Sequence, residues 1–512
     1  MKKLVILDLS KDYDLLIKDS QVFQLSFGKT EFKNCESIKK NFFSNKKFKI
    51  FVKDINSLLF NFHKYLNKNN LDLTCLEIFN QRNDKTQIFN KIFFFNEILK
   101  YYKVNNFQEI EIITDDYTFL NSYKSIKVKN LKILDISKKQ KKTFKTYFFS
   151  TLFFHIKSLL VILFAKIFIR KNLKYTKIEE GCLSIFPLFY KKKKHKFYKK
   201  KKILNFNFQL TDETHLGNSL FKNFKTLIKI RQMDYTLSVE SFIKIPNFLL
   251  NFFQSLNRYE LITKANKYKF KVKDIDCSDQ FRGLFFNSLL NLNKLNIYQN
   301  AFNEIAKNYN LKKFHLYLFE YNFGYYLINL VRKNFLKTVI IGYQHGLYSE
   351  RVMWQNLSNK INLKKYFPDF IVCKYAFSLN AYTNNFKHIA IKLLNSNKKI
   401  FRTKQKNNNG SKYNVYLGLH DNYHIMNELR NLDSKKIFKI FFHPKLKYKT
   451  LLNLKKNIKI GAQKFKKNHT TLLSSTSTMP YQFCSKKNYY IILPNNIIPL
   501  NPSSLDKKII KI

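Results

Sequence analysis

The stretch TVIIGYQHG, residues 338–346, places a short apolar run directly before a histidine. Short apolar runs bounded by glycine are typical of buried strands in a parallel sheet. Gly342 and Gly346 flank the histidine in a chain with only 10 glycines, and glycine lets the backbone turn sharply near a ligand. We therefore predict a strand whose end exposes His345 to a cleft. A core histidine in a tight turn is the alternative.

Short apolar runs alternate with longer periodic segments along most of the chain, as in KLVILDL, IEIITDD and LKILDI near the start. This alternation indicates α/β layers with parallel sheets, and 512 residues are enough for two or three domains. The polar stretch KKIFRTKQKNNNGSKY, residues 398–413, is the best candidate for a linker between domains. We predict an α/β region at 1–140, an apolar helical connector at 141–175, and α/β domains at 176–400 and 411–512.

The net charge of +59 is the most extreme feature of the composition. Such an excess often indicates nucleic-acid binding, but nearly all of it is lysine. Only nine arginines occur, and arginine makes the bidentate contacts to phosphates and bases. Since Lys, Asn, Ile and Phe are all abundant, A/T-rich codons explain the charge better than a nucleic-acid partner. The six cysteines form no CxxC pair, which favours a reduced, cytoplasmic location.

The segment 146–171 is the most apolar in the chain, but His155, Lys157 and Lys166 interrupt it. Its longest clean run, residues 159–165, is much shorter than the ~20 residues that cross a bilayer, so we do not expect it to span. It fits a buried connecting helix or a helix in the membrane interface. The lysine run at 190–202 fits a solvated loop, or a contact with anionic lipid on the cytoplasmic side.

Four predicted strands end in small or polar residues, and the carboxyl ends of parallel strands are where α/β sheets bind ligands. Imidazoles and carboxylates can move protons, and hydroxyls at a helix start can bind phosphate. The candidates are Glu320 after HLYLF, His345, His443 and Pro444 after FKIFF, and Ser474, Ser475 and Thr476 after TTLL. A satisfied histidine at a sheet edge and a plain helix cap are the structural alternatives.

Two acidic pairs are weaker candidates for a metal–diphosphate site: Asp274 with Asp276, and Asp115 with Asp116. Carboxylates bind divalent cations, but a D-x-D sequence is common by chance. The chain has no Walker loop, GxGxxG, GxSxG or HExxH motif. We predict no metal and no bound cofactor.

The ordered motifs SIFPLF, LFEYNFGYYLINLV, IIGYQHG and YFPDFIVC, with the later His-Pro and serine/threonine motifs, resemble bacterial surface-carbohydrate glycosyltransferases of GT-B architecture. The resemblance covers about residues 180–495. It is closest to sialyl- and polysialyltransferases and more distant to CDP-glycerol glycerophosphotransferases. It implies two Rossmann-like domains that face each other across a cleft, in addition to the N-terminal region.

The resemblance also implies roles for the candidate residues. His443 and Pro444 would contact the nucleotide of a nucleotide-sugar donor, Ser475 and Thr476 would bind its phosphate, and His345 or Glu320 would activate a glycan or lipid-linked glycan acceptor. Gln482 departs from the acidic residue that many relatives carry after the serine motif. A non-catalytic, lysine-rich accessory protein that binds anionic lipid or polysaccharide is the alternative, and a metal-dependent transferase using Asp274 and Asp276 is a third.

Overall fold

The structure is a computed structural model. The residues that it describes are 3–10, 20–25, 35–36, 38–66, 73, 75–80, 88–138, 143–167, 177–183, 203–210, 219–317, 321–344, 348–349, 364–373, 378–394, 412–418, 425–426, 429, 436–442, 458–460, 470–474, 489–492 and 509–510. Within these residues the chain is α/β, as predicted, and its three large sheets are parallel.

The first sheet has four parallel strands in the order β2-β1-β3-β4. The apolar runs recognised in the sequence form its central strands, since β1 is buried over five of its six residues. The strands are β1 (Lys3–Asp8), β2 (Ser20–Gln24), β3 (Glu109–Thr114) and β4 (Leu131–Asp135). The helices of this region are α1 (Ile38–Phe42), α2 (Asn45–Leu66), α3 (Ile88–Val104) and α4 (Leu120–Lys124).

Four helices and a small hairpin connect or flank the first two sheets. The helices are α5 (Phe144–Lys166), α6 (Leu220–Arg231), α7 (Ile245–Asn257) and α8 (Tyr259–Asn266). Thr143 caps α5 by accepting a hydrogen bond from the Thr146 amide, and Pro246 lies in the first turn of α7. Both features are typical helix starts. The hairpin pairs β8 (Lys271–Val272) with β9 (Ile275–Asp276).

The second sheet has seven parallel strands in the order β13-β12-β11-β10-β5-β6-β7. They are β5 (Glu180–Leu183), β6 (Leu204–Asn207), β7 (Thr236–Ser238), β10 (Lys313–Leu316), β11 (Val339–Tyr343), β12 (Phe370–Cys373) and β13 (Ala390–Leu393). Its further helices are α9 (Ser278–Asn296), α10 (Tyr298–Asn308), α11 (Asn322–Asn334) and α12 (Leu379–Asn385). Counted along the chain, the order is 3-2-1-4-5-6 with one strand added, which is Rossmann-like.

The third sheet has six parallel strands in the order β16-β15-β14-β17-β18-β19, which is again 3-2-1-4-5-6 along the chain. The strands are β14 (Lys412–Tyr416), β15 (Ile437–Phe441), β16 (Ile458–Ile460), β17 (Thr470–Ser474), β18 (Tyr489–Ile492) and β19 (Ile509–Ile510). Its apolar residues form two clusters, one around Val415 and Leu472 and the other around Tyr416 and Leu473.

One hydrophobic cluster joins the first two sheets, since it runs from Leu4 to Phe386. Aromatic rings make many of its contacts. Phe62 of α2 lies 4.5 Å from Phe270 and 5.4 Å from Phe285, measured between ring centroids, and such tilted pairs add to the energy of burial. The described residues within 3–135 and 180–393 therefore share a core, and among the described residues that core is separate from the two clusters of the third sheet.

Candidate functional site

Most of the site residues predicted from the sequence lie outside the described part of the chain, and their roles stay predictions. These are Glu320, His345, His443, Pro444, Ser475 and Thr476. Ser474 is described. It is the last residue of β17, pairs in register with Ile492, and is fully buried. The strand therefore extends one residue beyond the predicted TTLL, and Ser474 belongs to the sheet.

The strands that precede the predicted residues are present. Glu320 follows the end of β10 by four residues and His345 follows β11 by two; these strands are neighbours in the second sheet. His443 follows β15 by two residues and Ser475 follows β17 by one; both of these strands pair with β14. Parallel neighbours end at one edge of a sheet.

The order of the strands in the second sheet reverses between β5 and β10. This position is the topological switch point, and α/β sheets bind ligands at the carboxyl ends of the strands there. Three polar side chains cross one face of the sheet beside this point, from Glu180 at the amino end of β5 to Tyr343 at the carboxyl end of β11. His315 Nε2 lies 3.3 Å from Glu180 Oε2, and His315 Nδ1 lies 3.1 Å from the Tyr343 hydroxyl. They form a relay over three adjacent strands, β5, β10 and β11.

The relay suits proton chemistry. A neutral His315 ring satisfies both contacts in one tautomer: Nε2–H donates to Glu180, and Nδ1 accepts from the Tyr343 hydroxyl. Burial raises the pKa of Tyr343 to about 12, with the Glu180 charge adding to the effect. Tyr343 therefore keeps its proton at neutral pH. Its ring also lies 5.6 Å from that of Tyr317, whose pKa burial raises as well.

A buried carboxyl lies just after β7, at the same carboxyl edge. Glu240 is completely buried and accepts hydrogen bonds from the Tyr298 hydroxyl at 2.7 Å, the Ser238 hydroxyl at 3.3 Å and the backbone amide of Gln209. Burial raises the pKa of Glu240, although the hydrogen bonds oppose the shift. Gln209 also donates to Asn207, the last residue of β6. The network fixes the backbone where β6 and β7 end.

The first sheet has its own switch point, between β1 and β3, and an ion pair occupies it. Lys91 Nζ lies 2.6 Å from both Asp8 Oδ2 and Asp116 Oδ2. Burial raises the pKa of Asp8, despite Lys91. Burial also acts to raise the pKa of Asp116, but the charge and hydrogen bond of Lys91 and the hydrogen bonds from Thr118 together outweigh it, and the pKa lies below its usual value. Tyr123 and Thr114 donate to Asp8, so the cluster is closed by its own contacts.

Three of the four acidic residues considered for metal binding have structural roles. Asp276 accepts from the Ser278 amide at 2.9 Å, at the start of α9. Asp115 accepts from the amide and hydroxyl of Ser10, and Asp116 caps the turn at 117–119. Among the described residues, no group of three His, Cys, Asp or Glu side chains could hold a metal ion.

The sequence analysis missed the relay and both buried clusters. His315 is buried between Phe314 and Leu316 on β10, and a buried polar side chain needs a hydrogen-bond partner, which was a usable signal. The partner Glu180 starts a strand more than a hundred residues earlier, so its contact depends on strand order. No family model, curated protein or solved structure matches the chain.

Proposed function

We propose that the chain is a GT-B-type glycosyltransferase that transfers a sugar from a nucleotide-sugar to a cell-surface glycan. One observation carries the proposal: two successive parallel sheets, spanning 180–393 and 412–510, both have the 3-2-1-4-5-6 order. Each sheet then has one switch point at its carboxyl edge. We further propose that these two edges face each other across a cleft. One edge would hold the donor and the other the acceptor.

In this proposal the third sheet binds the donor. Its switch point lies between β14 and β17, and β17 ends at Ser474, directly before Ser475 and Thr476 in the sequence. Hydroxyls and unpaired amide groups at that point would bind phosphate oxygens. His443 follows β15, the other neighbour of β14. Its imidazole would donate to the leaving phosphate, as preorganised donors do where charge develops.

The second sheet would then bind the acceptor. His345 or Glu320 takes the proton of the acceptor hydroxyl, the oxygen attacks the anomeric carbon, and the bond from that carbon to the phosphate oxygen breaks. The nucleotide phosphate leaves with the electron pair. The relay of Glu180, His315 and Tyr343 supports the choice of this sheet, because it lies on the strands that precede both candidate bases. The enzyme would act in the cytoplasm, at the inner face of the plasma membrane, where lipid-linked acceptors are exposed.

Nucleotide binding provides the test of the donor site. A ligand that binds only the native state stabilises it by RT ln(1 + [L]/Kd), which is about 1.4 kcal/mol at tenfold Kd. For a unit of about 100 residues this raises the Tm by several degrees. Thermal-shift assays with CMP, CDP, UDP and GDP should show this rise with one nucleotide family. No rise with any of them would contradict the proposal.

The His443→Ala variant tests the assigned role of the histidine. Loss of one preorganised donor costs about 10²–10³ in turnover, and the Tm without nucleotide should not change. His388→Ala is the matched control, since His388 is exposed on the segment between α12 and β13. Donor turnover that is equal in both variants would remove His443 from the mechanism.

A second candidate function is a non-catalytic accessory protein that binds anionic lipid or polysaccharide. The broad apolar surface of α5, described below, favours it. It predicts salt-sensitive binding to anionic vesicles and no stabilisation by nucleotides. The metal-dependent alternative predicts that a chelator abolishes turnover. It has less support, because Asp276 already accepts a hydrogen bond from the backbone amide of Ser278 at the start of α9.

A further inference from the structure

Helix α5 exposes a continuous row of large apolar side chains. Phe149, Phe153, Ile156, Leu160, Leu163 and Ile167 recur at spacings of four and three residues and are between 42% and 66% exposed. That spacing places them on one face of the helix. Within the described residues, α5 alone is long and apolar enough to cross a membrane, by length and composition.

A polar stripe of α5, formed by Thr151, His155 and Ser158, faces the protein. Thr151, His155 and Ser158 are buried, with 5% exposure or less. His155 Nδ1 lies 2.8 Å from the Thr151 carbonyl oxygen, and Nε2 lies 3.3 Å from Asn251 Oδ1 on α7. Burial lowers the pKa of His155, so the ring is neutral at physiological pH. The helix thus buries a polar stripe beside Tyr147, Val161, Ile162 and Ala165, and its outer face is mostly apolar, unlike a surface helix in water.

Two of the helices that pack against α5 also expose large apolar side chains. In α7, Phe248, Asn251 and Ser255 are buried, and Leu249, Leu250 and Phe253 are 50–60% exposed. Helix α6 is mixed: it buries Asn223, Thr226, Leu227 and Ile230, and its Phe221 and Ile228, at 73% and 50% exposure, lie among exposed lysines. Polar residues between helices and apolar residues on the outside are typical of proteins in contact with lipid.

The exposed residues of the three helices are linked by ring contacts. Phe253 contacts Phe252 at 5.5 Å, Phe252 contacts Phe148 at 6.4 Å, and Phe148 contacts Phe149 at 5.6 Å. On the other side, Phe164 of α5 lies 4.8 Å from Phe224, which shares a face of α6 with Phe221 and Ile228. The patch therefore extends over three helices, and isolated monomers rarely expose one so large.

The charge on these helices is of one sign. Together α5, α6 and α7 contain no acidic residue, and their basic residues are Lys145, Lys157, Lys166, Lys222, Lys225, Lys229 and Arg231. Lysines around an apolar face attract anionic lipid head groups. A second copy of the chain would bring the same positive charges together, so this face is poorly suited to a homodimer.

A groove beside the patch fits a lipid head group. It has a volume of about 690 Å³, lies between α5 and α9, and begins next to Phe153. Lys157 and Lys294 line it, together with the amide side chains of Asn287 and Asn291. Glu77 also lines the groove, but its carboxylate accepts a hydrogen bond from Asn291. Ammonium and amide donors suit a phosphate that carries hydroxyl groups.

We propose that the outer face of α5, α6 and α7 lies in the interface of an anionic bilayer, with lipid head groups in the groove between α5 and α9. The buried polar face of α5 packs against α7, so the helix lies along the membrane surface and does not cross it. The inference is independent of the transferase proposal, because it concerns binding to lipid and needs no nucleotide.

Vesicle sedimentation tests the apolar face. The wild type should bind vesicles of phosphatidylcholine and phosphatidylglycerol, mixed about three to one, and bind pure phosphatidylcholine much more weakly. The double variant Phe153→Ser, Leu160→Ser should lose about 100-fold in partitioning, since two large side chains no longer enter the lipid. Leu336→Ser is the control, because Leu336 is 88% exposed outside the patch. Equal binding by both variants would overturn the proposal.

Two further measurements complete the test. Lys157→Glu with Lys294→Glu should weaken binding to the anionic vesicles about 10-fold or more, and unchanged binding would exclude the groove as a head-group site. Sedimentation velocity should show a monomer without lipid. A dimer that dissociates in the Phe153→Ser, Leu160→Ser variant would assign the patch to self-association and overturn the membrane proposal.

Discussion

Replacing Lys91 with methionine should destabilise the N-terminal region strongly. The ammonium lies 2.6 Å from Asp8, and the two side chains are 8% and 2% exposed. At this distance and an effective dielectric of about 20, the attraction is about 6 kcal/mol. Much of it only offsets the cost of removing both charges from water. The variant loses the attraction while Asp8 stays buried, and we expect a loss of about 3–5 kcal/mol.

The loss should depend on pH. Burial already raises the pKa of Asp8, and Lys91 opposes that shift, so the variant raises the pKa further. A carboxyl whose folded pKa exceeds its unfolded value loses stability as the pH rises through the folded pKa. The loss of stability in the variant should therefore be larger at neutral pH than at acidic pH, where the carboxyl is protonated.

Guanidinium unfolding followed by far-UV circular dichroism measures the effect. Lys3→Met is the matched control on the same sheet: its ammonium lies 2.7 Å from Glu111 but is 31% exposed, and such pairs contribute about 0–1 kcal/mol. The double variant Asp8→Asn, Lys91→Met should recover at least half of the loss, since the fully buried Asp8 carboxylate is gone and the remaining Asp116 carboxylate is 32% exposed. Equal losses at Lys91 and Lys3, or no recovery in the double variant, would refute this reasoning.

Two other predictions concern the second sheet. Gly181→Ala should cost about 1–3 kcal/mol of stability in the same assay, because a Cβ there would lie 2.9 Å from Phe206 and 3.0 Å from Phe314. Adding Phe314→Leu should restore part of this stability. A Gly181→Ala variant as stable as the wild type would contradict the close packing of β5. Glu240→Gln should flatten the decline in Tm between about pH 5 and pH 8, since burial raises the pKa of Glu240 and stability is lost as that group ionises; an unchanged pH profile would show that Glu240 does not titrate in that range.

The sequence predicted the class of fold well, for a local reason. Buried parallel strands are short apolar runs, and the strands around KLVILDL, IEIITDD, LKILDI and TVIIGYQHG are present as expected. Strand order is different, because it depends on pairing between distant segments. The contact of His315 with Glu180 follows from β5 lying next to β10, and no local pattern contains that information.

The orientation of α5 shows a second limit of sequence reasoning. The spacing of Thr151, His155 and Ser158, four and three residues apart, places them on one face of a helix. It did not say which face meets the protein. In water the polar stripe would face outward, but here it is buried against α7. Only the partners of a helix, and the medium on its other side, decide that choice.

The parallel topology also determines the order in which the chain can fold during synthesis. Glu180 of β5 pairs with Lys313 of β10, roughly 130 residues later. At about 5–20 residues per second, a ribosome needs many seconds to supply the second strand. During that time one edge of β5 has no partner, and adjacent apolar segments are exposed to other nascent chains. We therefore expect high yields of native protein to depend on chaperones that shield this edge.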